Sequence, residues 1–223
     1  MSETPASTPV RVALVGTGYL GTRVAEAARI APEIRIMQCY SRTVKERQEF
    51  AARYGYTAAE SYEQILDDPA VEGVLLITPN RAHYAQILAA VNHRKHVFVD
   101  KPITATLEQG VEVVRAAEAA GVVLAVDHEA RCEKPFRRLR EMITAEALGR
   151  VLMVDANIST STGLRTQVHE WRADRQELPG GALIQIGIHM IDSMQYLFGP
   201  IVREYGWQKH RFVGGGVEEG RGG

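Results

Sequence analysis

Five apolar runs punctuate the chain up to residue 127, and each is followed by a stretch with helical periodicity. Val10 to Val15 is β-branched and apolar apart from Arg11, and it stops at Gly16, as a buried strand ending in a turn does. Tyr19 to Ile30 then places Leu20, Val24, Ala27 and Ala28 on one helical face. A strand over Ile34 to Tyr40 follows the break at Pro32, and a helix over Thr43 to Tyr54 closes at Gly55, the residue that tolerates a left-handed cap. Ser61 is placed to cap a short helix through Leu66, ended by Asp67-Asp68-Pro69. The remaining strands are expected over Val71 to Ile77, Val97 to Val99 and Val122 to Val126, with helices over Arg81 to Asn92 and Thr106 to Ala120 between them. Strands alternating with helices at this spacing build βαβ units, whose right-handed crossovers cover both faces of a parallel sheet.

The alternation ends near Asp127. A helix is expected over Arg137 to Ala147, a strand over Val151 to Ile158, a helix over Ala182 to Phe198 stopped by Gly199-Pro200, and a strand over Ile201 to Phe212. The fold class is α/β: a Rossmann-type doubly wound parallel sheet followed by an incomplete α+β second domain. The expected boundaries are a disordered lead over 1–9, a dinucleotide-binding domain over 10–127, a partial substrate or oligomerisation domain over 128–212, and a flexible glycine-rich tail over 213–223.

Composition narrows the function classes. Apolar residues make up 45% and charged residues 24%, which is enough apolar material for a core. Lys plus Arg number 26 against 27 Asp plus Glu, so the chain lacks the basic excess of a nucleic-acid binder. No apolar run approaches the ~20 residues that span a bilayer, and Met1 to Pro9 has no basic stretch leading into an apolar core. With only Cys39 and Cys132, a disulfide scaffold is not expected, and a reducing cytoplasmic location is. His83, His93 and His96 lack ligand-type spacing, so no metal is expected. Cys39 as a redox sensor is disfavoured by its apolar strand and the want of a resolving partner.

Gly16-Thr17-Gly18-Tyr19-Leu20-Gly21 spells GxGxxG directly after the first strand and at the opening of a helix. In that context the first glycine makes the tight turn, Gly18 admits a pyrophosphate against the backbone, and Gly21 lets helix and sheet approach. The helix N-terminus adds unpaired N–H groups and partial positive charge. A carboxylate at the end of the second strand would bind the ribose diol of NAD. Here the residues are Cys39-Tyr40-Ser41-Arg42, with Lys45 and Arg47 close behind. A hydroxyl and a guanidinium suit the 2′-phosphate of NADP, so NADP is the expected cofactor, with NAD as the alternative.

Together with the glycine loop, four further segments resemble the Gfo/Idh/MocA family of NAD(P)-dependent oxidoreductases, over about Val10 to Pro200. Thr78-Pro79-Asn80 followed by His83 looks like the family's TPN-x-x-H turn, which lines the cofactor. His96-Val97-Phe98-Val99-Asp100-Lys101-Pro102 looks like its HVxxEKP segment, with Asp100 in place of the usual Glu. Trp171-Arg172 resembles a WR pair ahead of the active-site helix, and Gly180 to Asp192 resembles GGxxLxDxGxHxxD. Glu133-Lys134-Pro135 also spells EKP, but it follows no strand, so Lys101 is the motif lysine and Lys134 a surface residue.

The resemblance implies hydride transfer between the nicotinamide and a sugar or polyol carbon. Lys101 and His189 then hold and deprotonate the hydroxyl, with Gln185 at the third catalytic position. Residues 185 and 189 are four apart, so a regular helix projects them from one face, and 192 follows there. Gln185 stands where the family has Asp, and an amide hydrogen-bonds a hydroxyl but accepts no proton. Family members continue into a large open sheet that holds substrate and pairs subunits. Here two of its strands are expected, so a homo-oligomer would be weakened. The glycine-rich ending reads as a truncation, a frame change or a natural short form. The expected function is therefore an NADP-dependent oxidoreductase. The alternative is a nucleotide-binding protein that has lost turnover.

Overall fold

The computed structural model describes residues 8–161, 177, 181, 183–206, 212–213 and 216–217. The chain divides into two compact units, 1–127 and 128–223.

In the first unit, strands β1 (Val10–Val15), β2 (Ile34–Tyr40), β3 (Thr57–Ala58), β4 (Gly73–Leu76), β5 (His96–Asp100) and β6 (Leu124–Asp127) form one sheet in the order β3-β2-β1-β4-β5-β6. Every pairing is parallel. The winding reverses between β1 and β4, and in open α/β sheets that reversal opens a crevice at the carboxyl ends of the strands. Helices α1 (Tyr19–Ala28), α2 (Val44–Tyr54), α3 (Tyr62–Asp67), α4 (Asn80–Asn92) and α5 (Leu107–Ala120) connect the strands. The strand β3 escaped the sequence reading because its two residues are too short for a periodicity to register.

Alternation along the strands divides the core between the two faces. Val12 and Leu14 pack with Ala25, Ile36, Phe50 and Ala51 on the α1–α2 side. Ala13 and Val15 pack with Val74, Leu76, Val97, Val99, Ile87 and Val113 on the other. Both faces of β1 are therefore dry, and each fully buried aliphatic side chain contributes about 1.5–3 kcal/mol. The helix ends follow the expected chemistry. Ser61 Oγ accepts from Gln64 N at 3.1 Å, Thr106 Oγ1 accepts from Gln109 N at 3.3 Å, and Gly55 closes α2 at φ 74°.

The second unit contains a 3-10 turn at Glu129–Cys132, helix α6 (Lys134–Thr144), a π-helical turn at Leu183–Gly187, and helix α7 (Ile188–Phe198). Phe212–Val213 (β7) pairs antiparallel with Gly216–Val217 (β8). Two expectations are corrected. Val151 to Ile158 has no regular structure, and of the strand expected over Ile201 to Phe212, residues 201–206 are irregular while 207–211 lie outside the described residues. Both stretches carry strand-like apolar residues, but among the described residues no neighbour supplies a hydrogen-bond ladder, and a lone strand gains nothing from being extended. Leu152 and Met153 are accordingly 86% exposed and Val202 97%. The helix expected from Arg137 begins three residues earlier, because Lys134-Pro135 sets Pro in its first turn, where a missing N–H costs nothing.

Candidate functional site

The glycine loop joins β1 to α1 at the switch point. Gly16 has φ 106°, and a Cβ there would lie 2.0 Å from the Ile77 carbonyl oxygen. A Cβ on Gly21 would lie 2.1 Å from the Gly16 carbonyl oxygen. Neither position admits a side chain. Gly18 differs, because its backbone is extended and a Cβ would meet nothing within 4 Å. The protein itself therefore does not demand a glycine at 18; the space in front of it is open. Helix α1 has no side-chain cap on its first N–H groups and no acid in its first turn. Thr17 is half-buried, whereas Tyr19 and Leu20 are exposed, Tyr19 by 76%. An uncapped helix end behind an open glycine suits a phosphate, which supplies the missing acceptors and the negative charge.

At the end of β2, Ser41 is half-buried, its hydroxyl on the Thr43 carbonyl oxygen at 3.3 Å. The Arg47 side chain donates to the Ser41 carbonyl oxygen at 3.4 Å, with its guanidinium 5.9 Å from the centre of the Tyr40 ring. Lys45 is drawn to Glu49 at 3.9 Å. Arg42 is exposed and has no hydrogen-bond or ion-pair partner among the described residues. The guanidinium singled out from the sequence is thus the one left available.

Past β4, Thr78 and Pro79 lead into α4, Asn80 is buried, and Thr78 Oγ1 donates to Gln86 Oε1 at 2.6 Å. His83 is wholly buried, with Nδ1 2.9 Å from the Pro102 carbonyl oxygen and Nε2 2.9 Å from the Thr78 carbonyl oxygen. Its ring therefore lies behind the turn and ties it to the loop after β5. Asp100, the last residue of β5, and Lys101 after it are half-buried, and the Lys101–Pro102 peptide is cis. The placement explains the TPN-x-x-H spacing: the histidine one turn into α4 faces back onto the carbonyl that opens the turn.

In the second unit, α7 presents His189, Asp192, Ser193 and Tyr196 at successive turns of one face. Asp192 is buried and accepts a two-pronged contact from Arg131, with Nε at 2.9 Å from Oδ2 and Nη2 on Oδ1. That carboxylate raises the pKa of the guanidinium further. Arg131 and Arg140 lie 5.9 and 4.6 Å from the centre of the Tyr196 ring. His128 Nδ1 is 3.8 Å from Asp192 Oδ1, and burial pushes its pKa down despite that carboxylate. His189 Nδ1 is 3.6 Å from Glu129 Oε2. Three buried polar atoms lack a hydrogen-bond partner here, namely His128 Nδ1, His189 Nδ1 and Ser193 Oγ.

Gln185 is half-buried at the centre of the π-helical turn, so the four-residue spacing to His189 is not that of one regular helix. Trp171 and Arg172 lie outside the described residues. His128, Glu129 and Arg131 were missed from the sequence, and only their density in His128-Glu129-Ala130-Arg131 could have pointed to them. Lys134 is exposed at the start of α6. Among the described residues no group of three or more His, Cys, Asp or Glu could hold a metal ion, and no helix is long and apolar enough to cross a membrane.

Residues 10–128 match the family described as "Oxidoreductase family, NAD-binding Rossmann fold", and residues 136–220 match the "GFO/IDH/MocA C-terminal domain". The chain belongs to the GFO/IDH/MocA oxidoreductase family. It is 30% identical over 188 residues to the 1,5-anhydro-D-fructose reductase of Ensifer adhaerens, covering 84% of this chain and 56% of that protein. It is 29% identical over 197 residues to the NADP(+) scyllo-inositol 2-dehydrogenase IolW of Bacillus subtilis, covering 85% and 53%. An oxidoreductase structure from Desulfitobacterium hafniense superposes with a TM-score of 0.83 at 32% identity, covering 87% of this chain and 56% of that one. The chain spans about half the length of the curated relatives it matches. Membership makes the doubly wound sheet a Rossmann dinucleotide fold, and NAD(P) is the cofactor of the family's domain.

Proposed function

We propose that the protein is an NADP-dependent oxidoreductase that moves a hydride between the nicotinamide and a hydroxyl-bearing carbon of a sugar or polyol. The observation that carries this reading is the open Gly18 in front of an uncapped α1, beside an unpaired Arg42 at the end of β2. Gly16, Gly18 and Gly21, with the N–H groups of Thr17, Tyr19 and Leu20 around them, would hold the pyrophosphate. Ser41 and Arg42 would hold the 2′-phosphate, and Arg42 supplies the planar charge-assisted contact that favours NADP over NAD. Thr78, Pro79 and Asn80 line the ring end of the crevice, and His83 braces them from behind. Asp100 and Lys101 follow at the carboxyl end of β5. Trp171 and Arg172 take the cofactor-side role that the family resemblance gives them.

The bound nicotinamide supplies the hydride acceptor. The protein has to manage the proton of the same hydroxyl. Lys101 serves as the base, the role that the family resemblance gives the lysine at the carboxyl end of β5. His189 holds a neighbouring hydroxyl of the substrate, and Gln185 donates or accepts a neutral hydrogen bond at the reacting one. The similarity to proteins named for 1,5-anhydro-D-fructose and scyllo-inositol supports a small-molecule substrate of the sugar or polyol class. A homo-oligomer and a cytoplasmic location accord with this reading.

The test is NADP reduction by a panel of sugars and polyols, in the unaltered protein and in Lys101→Ala. Turnover that falls about 10²–10⁴-fold in the variant, the usual range for loss of a general base, while NADPH binding persists, supports the reading. NADPH binding without turnover on any substrate, in the unaltered protein and in Gln185→Asp, replaces it with a nucleotide-binding protein. Gln185 is the residue that would account for that outcome.

A further inference from the structure

Gln185 leaves the catalytic histidine without the ionised carboxylate that an aspartate at that position would bring. The face of α7 around His189 supplies another. His189 is mostly buried, its side chain 16% exposed, and Nδ1 has no hydrogen-bond partner. The atom facing that nitrogen is Glu129 Oε2, at 3.6 Å, on the 3-10 turn. Glu129 is 59% exposed, so a small rotation brings its oxygen to hydrogen-bond distance without disturbing packing. The other carboxylate on this face is already committed, because Asp192 accepts both prongs of Arg131. The groups around the pair are His128, which senses both His189 and Glu129, and the Arg131–Asp192 pair.

We propose that Glu129 is the positioning residue for His189: it accepts the Nδ1–H, and thereby leaves Nε2 as the bare nitrogen that can accept a hydrogen bond from a substrate hydroxyl neighbouring the one whose proton Lys101 takes. A neutral imidazole carries one proton, and the partner at one ring nitrogen decides the state of the other. In water the proton favours Nε2, which would leave His189 a donor where an acceptor is wanted. The carboxylate reverses that preference. The same division of labour, a carboxylate fixing the tautomer of a histidine base, operates in catalytic triads, where the carboxylate is buried; Glu129 is more exposed. Here the carboxylate comes from a different segment than the sequence motif suggests. This assignment rests on the proposed oxidoreductase reading for its purpose but not for its test.

The experiment reads the tautomer directly. In protein labelled with ¹⁵N-histidine, long-range ¹H–¹⁵N spectra above pH 8 show which ring nitrogen of His189 is protonated, with the signal assigned by its loss in His189→Gln. The unaltered protein should show a protonated Nδ1 and a bare Nε2. Glu129→Ala should move His189 toward the Nε2-protonated form, and Glu129→Asp should retain more of the original pattern. Gln185→Asp should not be needed for it. A protonated Nε2 in the unaltered protein, or a pattern unchanged in Glu129→Ala, overturns the proposal. Where turnover is measurable, Glu129→Ala should lower kcat with little change in KM, by less than the about 10²–10⁴-fold expected of losing the base itself. Absent turnover with the Nδ1-protonated pattern intact refutes the oxidoreductase reading and leaves the Glu129–His189 pairing standing. Turnover with the wrong tautomer does the reverse.

Discussion

Gly18 and Gly21 belong to one motif, yet the structure gives them different surroundings, and a single added methyl at either one tests what each is for. At Gly21 a Cβ would sit 2.1 Å from the Gly16 carbonyl oxygen, so α1 has to move off the sheet. Forced overpacking of this kind costs about 1–3 kcal/mol, partly offset by the ~1 kcal/mol helix-propensity gain of Ala over Gly. At Gly18 the φ of −73° is ordinary for any residue, and the added methyl touches nothing. Losing glycine at an N-cap costs a few tenths to about 1 kcal/mol, and restricting the unfolded chain returns about 0.4–1 kcal/mol. Gly18→Ala should therefore be close to neutral in urea denaturation, while Gly21→Ala should have a lower midpoint. Ligand binding reverses the order of interest. A methyl at 18 stands in the approach to the helix end and separates the phosphate from at least one N–H. One charge-assisted hydrogen bond is worth about 1.5–3 kcal/mol, so NADPH should bind about 10- to 150-fold more weakly by calorimetry. Unchanged NADPH affinity in Gly18→Ala would refute the argument and reduce the loop to a structural turn. So would a stability loss in Gly18→Ala equal to that of Gly21→Ala, since weak binding would then report misfolding.

Arg42→Ala should weaken NADPH binding by about 1.5–3 kcal/mol and leave NADH nearly unaffected; equal losses for both cofactors would remove Arg42 from the 2′-phosphate. Burial pushes the Cys39 thiol up to about 11, while Cys132 is exposed. Ellman's reagent at pH 8 should thus label Cys132 quickly and Cys39 only after denaturation. His128 is held below the ordinary histidine value of about 6.5, chiefly by burial. As pH falls below that value the unfolded chain takes up a proton that the folded one refuses, so stability drops until pH passes the folded value. His128→Phe should flatten this part of the urea-midpoint profile, and an unchanged slope would assign it to other groups.

The first unit was legible because its elements carry independent signals that agree. A strand buried on both faces reads as a continuous apolar run, a helix packed on one side reads with a period near 3.6, and Gly55, Ser61, Thr106 and Gly121 punctuate them. Only β3 was lost, two residues that register through pairing with β2 and through nothing local. The second unit was less legible for a physical reason. Val151 to Ile158 and Ile201 to Gly206 have strand composition, but a strand is defined by its neighbour, and composition does not say whether one is present. The helix around His189 was placed nearly correctly, yet its first turn is π-helical, and at the start of a helix there is no preceding turn against which a shift of phase would show.

The same contrast separates the candidate residues of the two units. Those of the first unit are set by backbone: three glycines, a helix end and two tight turns. Backbone geometry restricts which residues can occupy a position, so these show in the sequence as glycines and prolines at fixed spacing. The cluster around His189 in the second unit is made of side-chain atoms, and there only the location of the atom matters, not the position in the chain that delivers it. A carboxylate oxygen near a histidine nitrogen does the same work from position 129 as from position 185, provided the distance is short enough for the proton to choose its side. The sequence shows one of those positions losing its acid, and read along the chain this looks like lost function. In three dimensions the loss at Gln185 and the presence of Glu129 against His189 Nδ1 describe one electrostatic arrangement supplied from a different segment. The glycine loop has no such alternative, because no other residue can stand in for Gly16 at φ 106° with a carbonyl 2.0 Å from its missing Cβ.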